Sequence, residues 1–203
     1  LTSIEWAQKR ASEIHNDTAV KLNWKDLPES WTVPMGHTTH LTVVDRNGMV
    51  VALTQTVGTA MGSKVATPGL GFVYAQTLGG YLGEVKAGYR APSHISPMLV
   101  TKDDKPFIAL GAAGGSRIPS SIVAVISRIV DQGNTLEKAM ALPRVQPVEN
   151  GIAIEFTSNG GWSMADSAYF AQLGHEVSVQ RRPGSFGRVH AVIKNEANGS
   201  WTG

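Results

Sequence analysis

Apolar and polar residues alternate from Leu41 through Val44, pause at Asp45-Arg46-Asn47-Gly48, and resume from Met49 to Thr56. This period of two predicts a β-hairpin. The Asn-Gly pair predicts a type I′ turn, because both residues tolerate the positive φ that such a turn demands. Counting outward from that pair sets Thr38 across from the region of Val57, with Thr56 in reach of Thr38. A second hairpin is predicted over residues 98–102 and 106–110, turning at Asp103-Asp104 and ending in Gly111-Ala112-Ala113-Gly114-Gly115-Ser116.

Beyond that glycine-rich turn the period lengthens. Ile122, Val125, Ile126 and Ile129 recur on one helical face, with Pro119 near the first turn and Gly133 as the stop. Shorter helices are predicted over residues 4–14, 135–142 (closed by Pro143) and 163–173 (closed by Gly174). Strands over 152–156, 176–179 and 189–193 complete an alternation of strand and helix blocks, without internal repeats. Residues 15–37, with Trp24 and Trp31 among Asn, Asp, Pro and Gly, read as a surface strap. Residues 58–92 hold eight glycines and little periodicity, a length of loop that in a compact domain is usually functional.

With 203 residues, 42% of them hydrophobic, the chain can bury one core of mixed type. A net charge of +2 provides no field suited to nucleic acid or an anionic membrane. No apolar run approaches the ~20 residues of a bilayer span, and residues 1–30 lack a secretion signal. The absence of cysteine excludes disulfides and thiol chemistry. None of the six histidines shows tight ligand spacing, so no metal is expected, and no glycine-rich phosphate motif calls for a cofactor. Two glycosylation tripeptides, at Asn16 and Asn198, carry little weight. The start at Leu1-Thr2-Ser3 looks like an internal cut, and the partner of the last strand barely begins before Gly203, so the chain reads as a piece of a longer precursor.

The candidate chemistry lies at Gly36-His37-Thr38-Thr39-His40. An N-terminal threonine unites nucleophile and base, since an α-amino group with a pKa near ~7.7–8.0 can accept the proton of its own hydroxyl. The precondition is cleavage between His37 and Thr38, which the same hydroxyl can perform by attacking the His37 carbonyl. Thr38 and Thr39 also read as ordinary β-formers entering a strand. The amides of Gly114 and Gly115 suit an oxyanion, although glycine-rich turns before helices also serve as packing devices. His94, between Ser93 and Ile95 beside the long loop, is a candidate substrate contact.

Thr38-Thr39-His40, Val43-Val44-Asp45-Arg46-Asn47-Gly48, Leu53-Thr54-Gln55-Thr56, Ser96-Pro97 and Gly114-Gly115-Ser116-Arg117 stand in the order and spacing of the γ-glutamyltranspeptidase small subunit, which the chain resembles over residues 36–200. The resemblance implies an α+β fold, one half of the four-layer αββα sandwich of N-terminal nucleophile hydrolases, with two stacked antiparallel sheets. The large subunit of the same precursor would complete it. Residues 1–37 would be the tail of that large subunit and 38–203 the small-subunit catalytic domain. Thr38 matches the family's nucleophile, Thr56 the threonine that orients it, and Gly114 and Gly115 the oxyanion amides. Ser93 matches the first of two serines that hold the glutamyl α-carboxylate, and His94 replaces the second. Where the glutamyl-specific enzymes place an asparagine after the orienting threonine this chain has Gly58, and where they grip the α-amino group with glutamine and aspartate it has Thr77 and Gly80.

The implied activity is self-cleavage before Thr38 and acyl transfer from γ-glutamyl amides such as glutathione, without a cofactor. The alternatives are a same-superfamily amidohydrolase or acylase acting on a non-glutamyl amide, and a non-catalytic assembly module. Implied partners are the large subunit and a small-molecule amide. Self-association of the piece alone is expected, and a periplasmic or secreted location is suggested by the family, with the cytoplasm left open.

Overall fold

The computed structural model describes residues 3–19, 37–77, 87–88, 93–149, 151–157, 160–180 and 186–203. Trp24, Trp31 and Gly80, and most of the strap over 15–37, lie outside them. Helix α1 (Ile4–Ala11) is capped by the Ser3 hydroxyl, which accepts from the Trp6 amide at 3.2 Å. It ends three residues short of the predicted helix and buries none of its side chains.

Strands β1 (Thr38–Val44) and β2 (Val50–Thr56) form the first hairpin. Its turn differs from the type I′ prediction. Gly48 has φ +85°, whereas Asn47 does not take a positive φ. The Asp45 carboxylate explains why: it accepts from the amides of Asn47 and Met49, both at 2.8 Å, and so braces a three-residue loop closed by a glycine bulge. The extra loop residue moves the register by one, and Thr38 pairs with Thr56 rather than with Val57. Since a one-residue slip reverses every side chain, this turn is what sets both hydroxyl groups on one face.

Strands β3 (Met98–Lys102) and β4 (Lys105–Ala113) form the second hairpin. Here Asp103 and Asp104 both adopt positive φ, at +50° and +59°, the geometry predicted for the other turn. β4 runs three residues past its predicted end. A 3-10 turn (Gly115–Arg117) then leads into helix α2 (Ile118–Val130), and α3 (Leu136–Ala141) follows behind the Thr135 cap. Next come β5 (Val145–Val148), β6 (Gly151–Thr157) and β7 (Gly160–Gly161), of which β5 and β7 were not anticipated. Helix α4 (Met164–Gln172) begins in a Ser163–Asp166 capping box. Strands β8 (Glu176–Gln180), β9 (Arg188–Lys194) and β10 (Trp201–Thr202) close the chain.

The central sheet has the order β10-β9-β4-β3, all antiparallel. A second sheet gathers β5, β7 and β8 around β6, and there β8 pairs parallel with β6. That parallel pair was not anticipated from the sequence. It follows from α4, which links β6 to β8 as a crossover. In the central sheet one face of β4 presents Ile108, Leu110 and Ala112 to Ile118, Ile122 and Val125 of α2, forming the main core. The opposite face presents Ala109 and Gly111 toward the first hairpin, which packs on β4 and β9. The order of layers is therefore helices, sheet, hairpin.

Candidate active site

The paired register brings Thr38 and Thr56 directly opposite each other, both half-buried, at the open end of the first hairpin. Their surroundings are tied by three hydrogen bonds. The Thr56 hydroxyl donates to the His37 carbonyl at 3.3 Å, and the Gly58 amide donates to the Thr56 hydroxyl at 3.0 Å. The His37 amide donates to the Gly58 carbonyl at 2.7 Å. The carbonyl just before Thr38 thus faces a hydroxyl that itself accepts a hydrogen bond, an arrangement that polarises both groups. Gly58 holds φ +85°, and a Cβ there would lie 3.0 Å from the Gln76 carbonyl oxygen.

One row deeper on the same face are His40 and Thr54, again paired in register. His40 is 4% exposed, its Nδ1 lies 2.6 Å from the Thr54 hydroxyl, and its buried Nε2 has no partner among the described residues. The ring rests on Gly111, where an added Cβ would come within 2.3 Å of it. That contact explains a glycine in the interior of a buried strand. Burial, and secondarily the charge of His190, holds the His40 imidazole below its usual pKa. From sequence, His40 has no role beyond its place in the Thr38-Thr39-His40 motif. The available signal was the period of two, which puts residue 40 on the face of Thr38.

Gly114 and Gly115 follow the end of β4, with φ of +153° and +61°. They open the turn into α2, and backbone amides ahead of a helix N-terminus, with the helix dipole behind them, favour an anion. His40 on Gly111 links the hairpin to this segment, three residues before Gly114. Ser93 and His94 precede β3, and the antiparallel β3–β4 register (Met98 opposite Leu110) directs the chain before Met98 toward the Gly114 end of β4. Ser93 is exposed, and its hydroxyl accepts from the Ile95 amide at 3.2 Å. His94 is partly buried, which pushes its pKa down, and its carbonyl accepts from the Ser96 hydroxyl at 3.0 Å. Thr77 is half-buried at the end of the described loop. Among the described residues no three His, Asp or Glu side chains converge as a metal site would require, and no helix is long and apolar enough to cross a membrane.

The family model described as gamma-glutamyltranspeptidase matches residues 1–203. The glutathione hydrolase proenzyme of Pseudomonas aeruginosa is 30% identical over 231 residues, covering 96% of this chain and 41% of its own length. The acylase ACY 1 proenzyme of Pseudomonas sp. (strain V22) is 30% identical over 186 residues, covering 86% of this chain and 32% of its own. The chain therefore spans between 32% and 41% of the length of these two curated relatives. Among solved structures, cephalosporin acylase from Bacillus halodurans superposes with a TM-score of 0.78 at 25% identity, over 98% of this chain and 36% of that one. An acivicin-inhibited gamma-glutamyltranspeptidase superposes with a TM-score of 0.70 at 24% identity, over 81% of this chain and 95% of that one.

Proposed function

The chain belongs to the gamma-glutamyltranspeptidase family, and on that premise we propose that it is the cleavage-site and small-subunit region of an N-terminal threonine hydrolase or acyltransferase. Residues 1–37 are then the tail of a large subunit and 38–203 the catalytic subunit, forming half of a four-layer sandwich. The observation that carries the reading is the Thr56 hydroxyl on the His37 carbonyl, directly across the hairpin from Thr38.

Before cleavage, the Thr38 hydroxyl attacks the His37 carbonyl carbon, and Thr56 stabilises the oxygen as it takes up charge. The C–N bond breaks, the Thr38 nitrogen gains a proton, and the His37 acyl group is left as an ester on Thr38. Water hydrolyses that ester and frees the α-amino group. In the mature site the α-amino group takes the proton of the Thr38 hydroxyl as it attacks a substrate amide. It then passes that proton to the amine that departs as the amide C–N bond breaks, leaving the acyl group as an ester on Thr38. Thr56, no longer engaged by His37, orients the nucleophile, and the amides of Gly114 and Gly115 hold the oxyanion. Ser93 and His94 bind the substrate carboxylate. Water or an amine resolves the acyl-enzyme.

Thr38→Ala is expected to abolish both cleavage and turnover, as read by intact mass and by release of a chromogenic amine. Either activity surviving in that variant refutes the assignment.

A second reading, an acylase acting on an amide without an α-amino group, is favoured by one observation. Gly58 carries no side chain where the glutamyl-specific enzymes have an asparagine, and a Cβ there would lie 3.0 Å from the Gln76 carbonyl oxygen, while Thr77 and Gly80 offer no carboxylate to a substrate ammonium. Each charge-assisted bond so lost is worth roughly 1.5–3 kcal/mol. The expected outcome in a panel of anilides is a γ-glutamyl preference over plain acyl groups of less than about tenfold. A preference above a thousandfold excludes this second reading.

A further inference from the structure

Two buried polar devices lie outside the catalytic set, and both end on the same dipeptide, Phe186-Gly187. The first is the ion pair of Arg144 and Glu155, whose side chains are only 14% and 9% exposed. Glu155 accepts from the Arg144 Nε at 3.1 Å and from its backbone amide at 3.0 Å, which fixes the guanidinium in direction. The remaining arm, Nη1, donates to the Gly187 carbonyl at 2.9 Å. The second is Ser121 of α2, 2% exposed, whose hydroxyl hydrogen-bonds the Phe186 carbonyl. The Arg117 guanidinium lies 5.5 Å from the centre of the buried Phe186 ring.

The held dipeptide presses on the glycine turn. A Cβ on Gly114 would come within 2.7 Å of the Gly187 Cα, and a Cβ on Gly187 within 2.7 Å of the Ser121 hydroxyl. Gly187 itself has φ +85° and precedes Arg188, which pairs with Ala113, the residue before Gly114. The back of the turn is thus in close contact with a segment whose two carbonyls are held by separate elements, one by Arg144 just ahead of β5 and one by Ser121 of α2.

We infer that Arg144 is a positioning residue for the oxyanion turn: fixed by Glu155, it holds Gly187 against Gly114 and so sets the direction of the Gly114 and Gly115 amides. This rests on the reading of those amides as oxyanion donors. A lysine at 144 keeps the charge but cannot serve Glu155 and the Gly187 carbonyl at once, because it lacks the guanidinium fork. Gly187 would then relax away from the turn. A displacement near 1 Å at reacting groups costs on the order of a hundredfold in rate.

The test compares the full chain with Arg144→Lys by backbone amide resonances and by turnover of an anilide substrate. Expected are shifted Gly114 and Gly115 resonances with Gly48 and Gly174 unmoved. The same variant should lose roughly ten- to a hundredfold in kcat with KM changed less than about threefold. Should Arg144→Lys not fold, Glu155→Gln keeps the arginine but loosens it, and smaller shifts of the same two amides are expected. Unmoved glycine amides in a folded variant overturn the inference regardless of activity. So does an unchanged kcat in an active enzyme whose amides have moved. If the parent chain neither cleaves nor turns over while the amides still respond to Arg144→Lys, the positioning stands and the catalytic reading fails.

Discussion

His40 concentrates several physical costs in one side chain. It is buried, its Nε2 is unpartnered among the described residues, and it lies near a second imidazole, that of His190. All three favour the neutral form, so its native pKa lies below the ordinary histidine value. The sign of the pH effect follows. As pH falls below about 6.5 the unfolded chain binds a proton that the native chain refuses, and native stability drops until His40 itself titrates. One such proton contributes a slope of at most about 1.4 kcal/mol per pH unit. His94 is shifted in the same direction by burial, so the two share the effect. Urea denaturation at pH 7.5 and 5.5 should show lower stability at the acid pH, and His40→Gln should remove roughly half of that difference. An identical difference in His40→Gln would show that this imidazole is not the proton-linked group. At this scale the sequence offered Thr38, Thr56 and the glycine pair as candidates through residue type and order, and the register of the hairpin pairs the two threonines. Nothing in it signalled the His40–Gly111 and Arg144–Gly187 contacts, because these join segments far apart in sequence.

The two hairpins show where reading elements from local chemistry succeeds and where it fails. Alternation located both, but the two positive φ values expected at Asn47-Gly48 occur at Asp103-Asp104 instead. Asn47-Gly48 lost the type I′ geometry to the Asp45 carboxylate, which binds two amides inside the loop. Asp103-Asp104 adopts positive φ at two residues that bear a cost for it. The functional consequence is large, because the bulge at Gly48, and not the alternation alone, sets Thr56 on the face of Thr38. β5 escaped notice for a simpler reason: four residues containing Pro147 carry too little pattern to be read as a strand. Replacing Asp103-Asp104 by Asn-Gly should stabilise the fold by about 0.5–1 kcal/mol, since the pair then suits the turn it already makes. Gly48→Ala should cost about 1 kcal/mol or more at φ +85°. Thermal melts of the two variants should move in opposite directions, and a shift of the same sign in both would contradict this account of the turns.

At the scale of the molecule, the first hairpin turns its hydroxyls and His40 mostly toward the protein and four of its large apolar side chains toward solvent. Its inner face carries Thr38, His40, Thr42, Thr54 and Thr56 beside Val44, Val50 and Ala52. Its outer face pairs Leu41 with Leu53 and Val43 with Val51, and these four are 42–53% exposed. That inversion is costly in water, since covering such half-exposed side chains is worth about 1 kcal/mol each. It is intelligible if another layer belongs there. The proposed large subunit is the occupant that accounts for it, given that the curated relatives are more than twice the length of this chain. Alone at micromolar concentration, the chain should therefore bind hydrophobic dye and sediment as more than a monomer. Val43→Lys combined with Leu53→Glu should restore the monomer while leaving the inner face untouched. The same pair should weaken capture of the proposed large subunit, co-expressed with this chain, by tenfold or more, the equivalent of about 1.4 kcal/mol. A monodisperse parent chain whose capture of that subunit is insensitive to both substitutions would mean that the hairpin's outer face is not where the proposed subunit docks. The exposed loop bearing Met61, Leu70 and Phe72 would then be the next apolar surface to test in the same way.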